Sequence, residues 1–183
     1  MKKSFLTIVS LVAISLTAVA QKQVSSKTQI KFFSTTPAED IEAFNVKSTS
    51  TFDPKTGELV FSIPMQSFEF SKSLMQEHYN SKNFLDTKKY PRAKLKGKVN
   101  ISDIDLKKND MYEIDVAGEL TIKDITNTFY EKAVISVVNG KVAISSKFNI
   151  KLEDYGIVFL KGKPSTNISK SVAITVQSEY INN

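Results

Sequence analysis

The chain has 183 residues, with 25 Lys and Arg against 19 Asp and Glu, a single histidine and no cysteine. This composition excludes a disulfide framework and thiol chemistry, and a chain of this length suits one domain with a sizeable core. The formal charge of +6 is mild and its lysines are scattered rather than interleaved with aromatics in a cluster, which argues against a nucleic-acid partner.

Lys2 and Lys3 precede an apolar run from Phe5 to Val19, and Ala18-Val19-Ala20 has the small-x-small pattern of a signal-peptidase site. Residues 1–20 are therefore predicted to be a cleaved leader, with cleavage after Ala20 and a periplasmic or secreted domain over 21–183. The run is shorter than the ~20 apolar residues a membrane span needs. Loss of Lys2 and Lys3 takes the formal charge from +6 to +4. Transient contact with a membrane surface is compatible with that balance.

The first predicted strand, 28–34, carries Ile30, Phe32 and Phe33. Thr36-Pro37-Ala38-Glu39 then reads as an N-cap, a proline at the first helical position and a glutamate at the third, predicting a short helix to Ala43 that turns Ile41 and Phe44 inward. Strands follow over 45–53 and 58–66, joined by a Pro54-Lys55-Thr56-Gly57 turn. The stretch 67–91 breaks the alternation. Ser73 and Gln76 have capping-box spacing, Leu74, Met75 and His78 share one face of the short helix this predicts, and a second turn carries Phe84 and Leu85. So many apolar groups in a connection predict a cover over one end of the fold.

Longer alternating strands come next, over 92–100, 111–123, 127–138, 141–153 and 169–181. Asn139-Gly140 between two of them is the pair most diagnostic of a two-residue hairpin. Eight strands with one apolar and one polar face, joined mostly by short turns, predict an all-β protein built as an eight-stranded antiparallel barrel, with a two-sheet sandwich as the alternative. Phe33, Phe44, Phe61, Ile63, Phe68, Phe84, Leu95, Phe148 and Ile150 either fill that barrel or line a lumen; the pattern alone fits both. A filled barrel would serve as an interaction scaffold. The sequence leaves the oligomeric state open, a dimer included.

The sequence offers little catalytic chemistry. His78 has no evident metal-binding companions, and no nucleophile elbow, phosphate loop or dinucleotide fingerprint is present. The acids Asp103/Asp105 and Glu153/Asp154 fall at predicted turns and strand ends. Neither a metal nor a cofactor is expected.

The order Phe68, Ser73-Leu74-Met75, His78, Phe84-Leu85-Asp86 and Tyr90-Pro91 resembles the signature of the YceI family. Gly118-Glu119-Leu120-Thr121-Ile122 and Glu153-Asp154-Tyr155-Gly156-Ile157 resemble later segments of the same family. The likeness runs from about Lys27 to the C-terminus, and it departs from the usual pattern at Tyr79 and Asp124. It implies a lipocalin-like exported barrel, short helical turns capping one end, and an apolar lumen holding a long isoprenoid-type lipid such as a polyprenyl chain or isoprenoid quinone, without enzymatic activity. Under that reading the apolar residues above, with Leu74 and Met75, become ligand contacts. His78 and Tyr79 become candidate polar contacts at the mouth, and the covering stretch becomes a gate.

Overall fold

The structure is a computed structural model that describes residues 22–37, 39–158 and 169–181. The predicted leader lies outside the described residues. The chain forms ten antiparallel strand segments: β1 (Gln23–Thr35), β2 (Asp40–Asn45), β3 (Thr49–Phe52), β4 (Glu58–Pro64), β5 (Glu69–Phe70), β6 (Arg92–Val99), β7 (Asp110–Ile122), β8 (Ile125–Val138), β9 (Lys141–Lys151) and β10 (Ser171–Ile181). A helix, α1 (Ser73–Asn80), lies between β5 and β6. β2 and β3 are two halves of one strand, since both pair with β1, and β4 and β5 are likewise separated by the 3-10 turn Met65–Ser67 and Phe68. The ten segments thus make eight barrel strands in up-and-down order. Pairing of β1 with β10 closes the ring.

The two strand breaks are tied together by one side chain. Asn45, fully buried, donates from Nδ2 to the Pro64 carbonyl at 2.8 Å, while its Oδ1 accepts from the amides of Lys47 and Ser48 and from the Ser48 hydroxyl at 2.9–3.0 Å. A buried amide with its capacity used in this way fixes both bends.

The predicted helix up to Ala43 is instead strand β2. The local cap chemistry does form, with the Glu39 amide donating to Thr36 Oγ1 at 3.3 Å. Beyond it Ile41, Ala43 and Asn45 are buried at every second position, and β2 pairs with β1 from Ile30↔Asn45 to Thr35↔Asp40. Tertiary pairing overrides a helix start only one turn long. The next predicted strand, 45–53, therefore begins only at Thr49, after the bend that Asn45 holds.

The other strands follow their predicted alternation. Asn139 and Gly140 have φ of 50° and 76° between the paired Val138 and Lys141, as a type I′ hairpin requires. Lys123 and Asp124, also at positive φ, make the corresponding turn between β7 and β8. Gly118 faces Gly97 across β7 and β6, and a Cβ there would meet the Lys96 carbonyl oxygen at 2.0 Å. Only a glycine permits this approach of the two strands.

Candidate ligand-binding cavity

The barrel interior has two halves. At the end carrying the β8–β9 hairpin it is filled by side chains: Phe52, Val99, Ile135, Val137, Val142 and Tyr180 are all 0–1 % exposed. Just inside this packing, Thr28, Ser50, Ser178 and the Tyr180 hydroxyl form a buried hydrogen-bonded cluster, with contacts of 2.5–3.2 Å. One step further along β1 and β10, at Ile30 and Val176, the interior opens into a cavity of about 120 Å³. Both readings of the apolar faces are therefore met, the filled one at the closed end and the hollow one beneath the covering stretch.

The cover is built from α1 and the turns after it. Eight residues are too few for a stable isolated helix, so packing must hold it. Tyr79 supplies that packing: its ring lies 5.6 Å from Phe68, 4.9 Å from Phe70 and 6.2 Å from Phe84, centroid to centroid. Beyond the helix, the Thr87 hydroxyl donates to Asn80 Oδ1 at 2.7 Å, and Lys123 Nζ donates to the Phe84 carbonyl at 2.9 Å. The predicted capping box does not form. Lys72 occupies the cap position without a side-chain bond, Ser73 is the first helical residue, and Gln76 Oε1 accepts instead from the Phe70 amide at 3.5 Å.

Of the predicted contacts, Phe61, Ile63, Phe68, Tyr79, Phe84, Leu95, Phe148 and Ile150 line the cavity. Five do not. Phe33 and Phe44 point outward, Phe44 being 39 % exposed, because Phe32 takes the inward position on β1 and Ala43 that on β2. On the outside both rings flank Lys31 Nζ, at 5.6 and 5.5 Å, and Lys31 pairs with Glu42 at 2.5 Å. On α1 the inward pair is Met75 and Tyr79, four residues apart. Leu74 is 61 % exposed, His78 is exposed, and Met75 packs on the core without reaching the cavity. His78 thus lies on the outer face of α1, away from the cavity lining.

Sequence reasoning missed several lining residues, including Phe32, Leu120, Phe129, Ala133 and Ile144. Their signal was available in phase. Phe129 alternates with Ala133, Ile135 and Val137 on β8, and Phe32 with Ile30 on β1.

The lining is almost wholly apolar. Its polar side chains are Ser146, whose hydroxyl donates to the Lys132 carbonyl at 2.6 Å, and Tyr79. Tyr79 is 5 % exposed, its hydroxyl has no hydrogen-bond partner among the described residues, and burial holds its pKa well above the ordinary tyrosine value. No three His, Asp or Glu side chains among the described residues converge on a metal position. Asp103, Asp105, Glu153 and Asp154 are exposed.

A profile of the YceI-like domain matches residues 18–180. The chain belongs to the YceI family. Solved structures agree in fold. A polyisoprenoid-binding domain from Saccharophagus degradans, implicated in plant cell wall breakdown, is 13 % identical with a TM-score of 0.74, over 90 % of this chain and 99 % of that one. BcnA of Burkholderia cenocepacia is 18 % identical with a TM-score of 0.67, over 83 % and 95 %. The Campylobacter jejuni YceI protein is 16 % identical with a TM-score of 0.58, over 100 % and 92 %. No protein of curated function matches the chain significantly. The chain shares the eight-stranded antiparallel barrel of these structures, and Asp124, where it departs from the usual pattern, is simply the second residue of the β7–β8 turn.

Proposed function

We propose that this barrel binds and carries an isoprenoid-type lipid, a polyprenyl chain or an isoprenoid quinone, without transforming it. The observation that carries the reading is the apolar cavity in the barrel interior, whose lining holds two polar side chains and no charged one. Each CH₂-sized group buried there contributes ~0.8 kcal/mol, so a tail can be held tightly without specific polar contacts. The name of the Saccharophagus neighbour points the same way. A scaffold reading suits only the filled half. Lys2, Lys3 and the Ala18-Val19-Ala20 site support export of the domain after cleavage, which would place carriage outside the cytoplasm and require exchange with a membrane.

Tyr79 is the polar contact in this proposal. A buried phenol without a partner gains a hydrogen bond when the occupant presents an oxygen, which favours a quinone or alcohol over a plain hydrocarbon by about 1 kcal/mol. The cavity also sets a condition. An engineered apolar cavity of about 150 Å³ accepts one benzene, so about 120 Å³ accommodates roughly one five-carbon unit. A longer tail requires the cover to move. α1 and its turns, held by the Tyr79 cluster and a few hydrogen bonds rather than by ladder pairing, are the segment to do so.

Titration with isoprenoid alcohols and quinones of graded length, read by native mass spectrometry, tests the reading. Stoichiometric uptake that strengthens with tail length is expected, weakened about fivefold by Tyr79→Phe for oxygen-bearing ligands and unchanged by His78→Ala. Absence of uptake at every length would overturn it.

A further inference from the structure

Along β6 the inward positions are Ala93, Leu95 and Val99, so the period of two sets Arg92, Lys94, Lys96 and Lys98 side by side on the outer wall, all exposed. At ~3.3 Å per residue they span about 20 Å along the strand. Pairing to β4 and β7 on either side holds them in line. Few acids answer them. Glu58, opposite Lys98, is held by Lys22 at 2.7 Å, and Glu119, opposite Lys96, makes no ion pair with it among the described residues. The cover adds Lys88 and Lys89, exposed just before Arg92, although Asp86 and Asp124 lie close enough to act on Lys89. Other outer faces are mixed. On β9, Lys141, Lys147 and Lys151 are separated by Ala143, Ser145 and Asn149.

We propose that the β6 face docks the barrel on an anionic lipid surface, with headgroup phosphates as the counter-charges and the cover held at the headgroup layer. The choice of partner rests on the lipid-carrier reading: a cargo that resides in a bilayer must cross its surface, and the segment that has to open carries two of the cations. Each Lys or Arg brought close to such a surface strengthens attachment about fivefold. The attraction fades within a Debye length of about 8 Å at physiological salt.

Flotation of the mature domain with phosphatidylglycerol-containing vesicles and with pure phosphatidylcholine vesicles tests this. The comparison is with K94Q/K96Q/K98Q, which leaves the cavity untouched, and with K141Q/K147Q/K151Q, an equal charge change on β9. The expected result is salt-sensitive binding to the phosphatidylglycerol vesicles, weakened about a hundredfold by the β6 triple and far less by the β9 triple. Equal loss in both triples would assign the effect to overall charge and overturn the proposal. So would wild-type binding without preference for phosphatidylglycerol, or retention on an acidic polysaccharide but on neither vesicle. Uptake of an added isoprenoid in detergent, measured in parallel, separates the two readings. If it failed in the wild type while vesicle binding persisted, the cargo assignment would fall and the docking face would stand.

Discussion

Ala133 offers a direct way to close the cavity from within. It sits on β8, is 4 % exposed, lines the cavity, and pairs across the wall with Ile114 and Ser146. A phenylalanine there places a ring of roughly benzene size in a space of about 120 Å³, close to the ~150 Å³ that admits benzene. Filling that volume recovers up to ~24 cal/mol per Å³, or about 2.9 kcal/mol. Strain from the larger side chain takes back ~1–3 kcal/mol. Ala133→Phe should therefore fold with stability between that of the wild type and about 2 kcal/mol above it. Binding should behave oppositely. Excluding one five-carbon unit at ~0.8 kcal/mol per carbon removes about 4 kcal/mol, roughly a thousandfold in affinity. Urea denaturation and isoprenoid titration read the two effects separately. A variant that binds like the wild type would show that the ligand lies elsewhere. One destabilised by more than about 3 kcal/mol would show that the space is not available to a side chain.

Three further outcomes follow from the geometry. Asn45→Ala removes four hydrogen bonds that hold two strand bends and leaves buried backbone groups without partners, so it should cost about 2–4 kcal/mol in urea denaturation. Gly118→Ala brings a Cβ within 2.0 Å of the Lys96 carbonyl oxygen and 2.7 Å of the Gly97 Cα. It should destabilise by several kcal/mol or prevent soluble expression, whereas Ala117→Gly on the exposed face should cost about 1 kcal/mol or less. Burial raises the pKa of both Tyr79 and Tyr180 above the ordinary value of 10.0. The folded state therefore holds these protons more tightly than the unfolded chain, so the stability they contribute is complete below about pH 10 and is lost as pH rises beyond it. Urea midpoints across pH 8–11 should fall more steeply in the wild type than in Tyr79→Phe.

Strand alternation was legible wherever it ran long enough to exclude a helical period. β7 shows this well, because Tyr112 to Ile122 lie in one phase and the structure keeps all six on the inner side. Short segments were not decidable in that way. Ile41 and Phe44 fit one helical turn as well as they fit a strand, and the cap chemistry at Thr36 tipped the local reading toward helix; only pairing with β1 settles the matter. Adjacent phenylalanines at Phe32 and Phe33 leave the phase open locally. The outward one is stabilised by Lys31, whose position relative to Phe44 depends on cross-strand register and so is not visible along the sequence. The rotation of α1 was hidden for a similar reason. Leu74, Met75 and His78 form a plausible face, but Phe68 and Phe70 on one stretch and Phe84 on another converge on Tyr79, which turns Leu74 and His78 outward and keeps Met75 with Tyr79 on the inner side. The cavity itself depends on where packing stops along the barrel axis, which alternation cannot encode.

The central claim is tested most directly by native mass spectrometry of the mature domain purified from its own host, followed by organic extraction of whatever accompanies it. The account predicts an added mass that survives purification, is released by solvent, matches a polyprenyl compound or isoprenoid quinone, and is missing from Ala133→Phe. A bare wild-type mass that stays bare after incubation with added isoprenoids would contradict it.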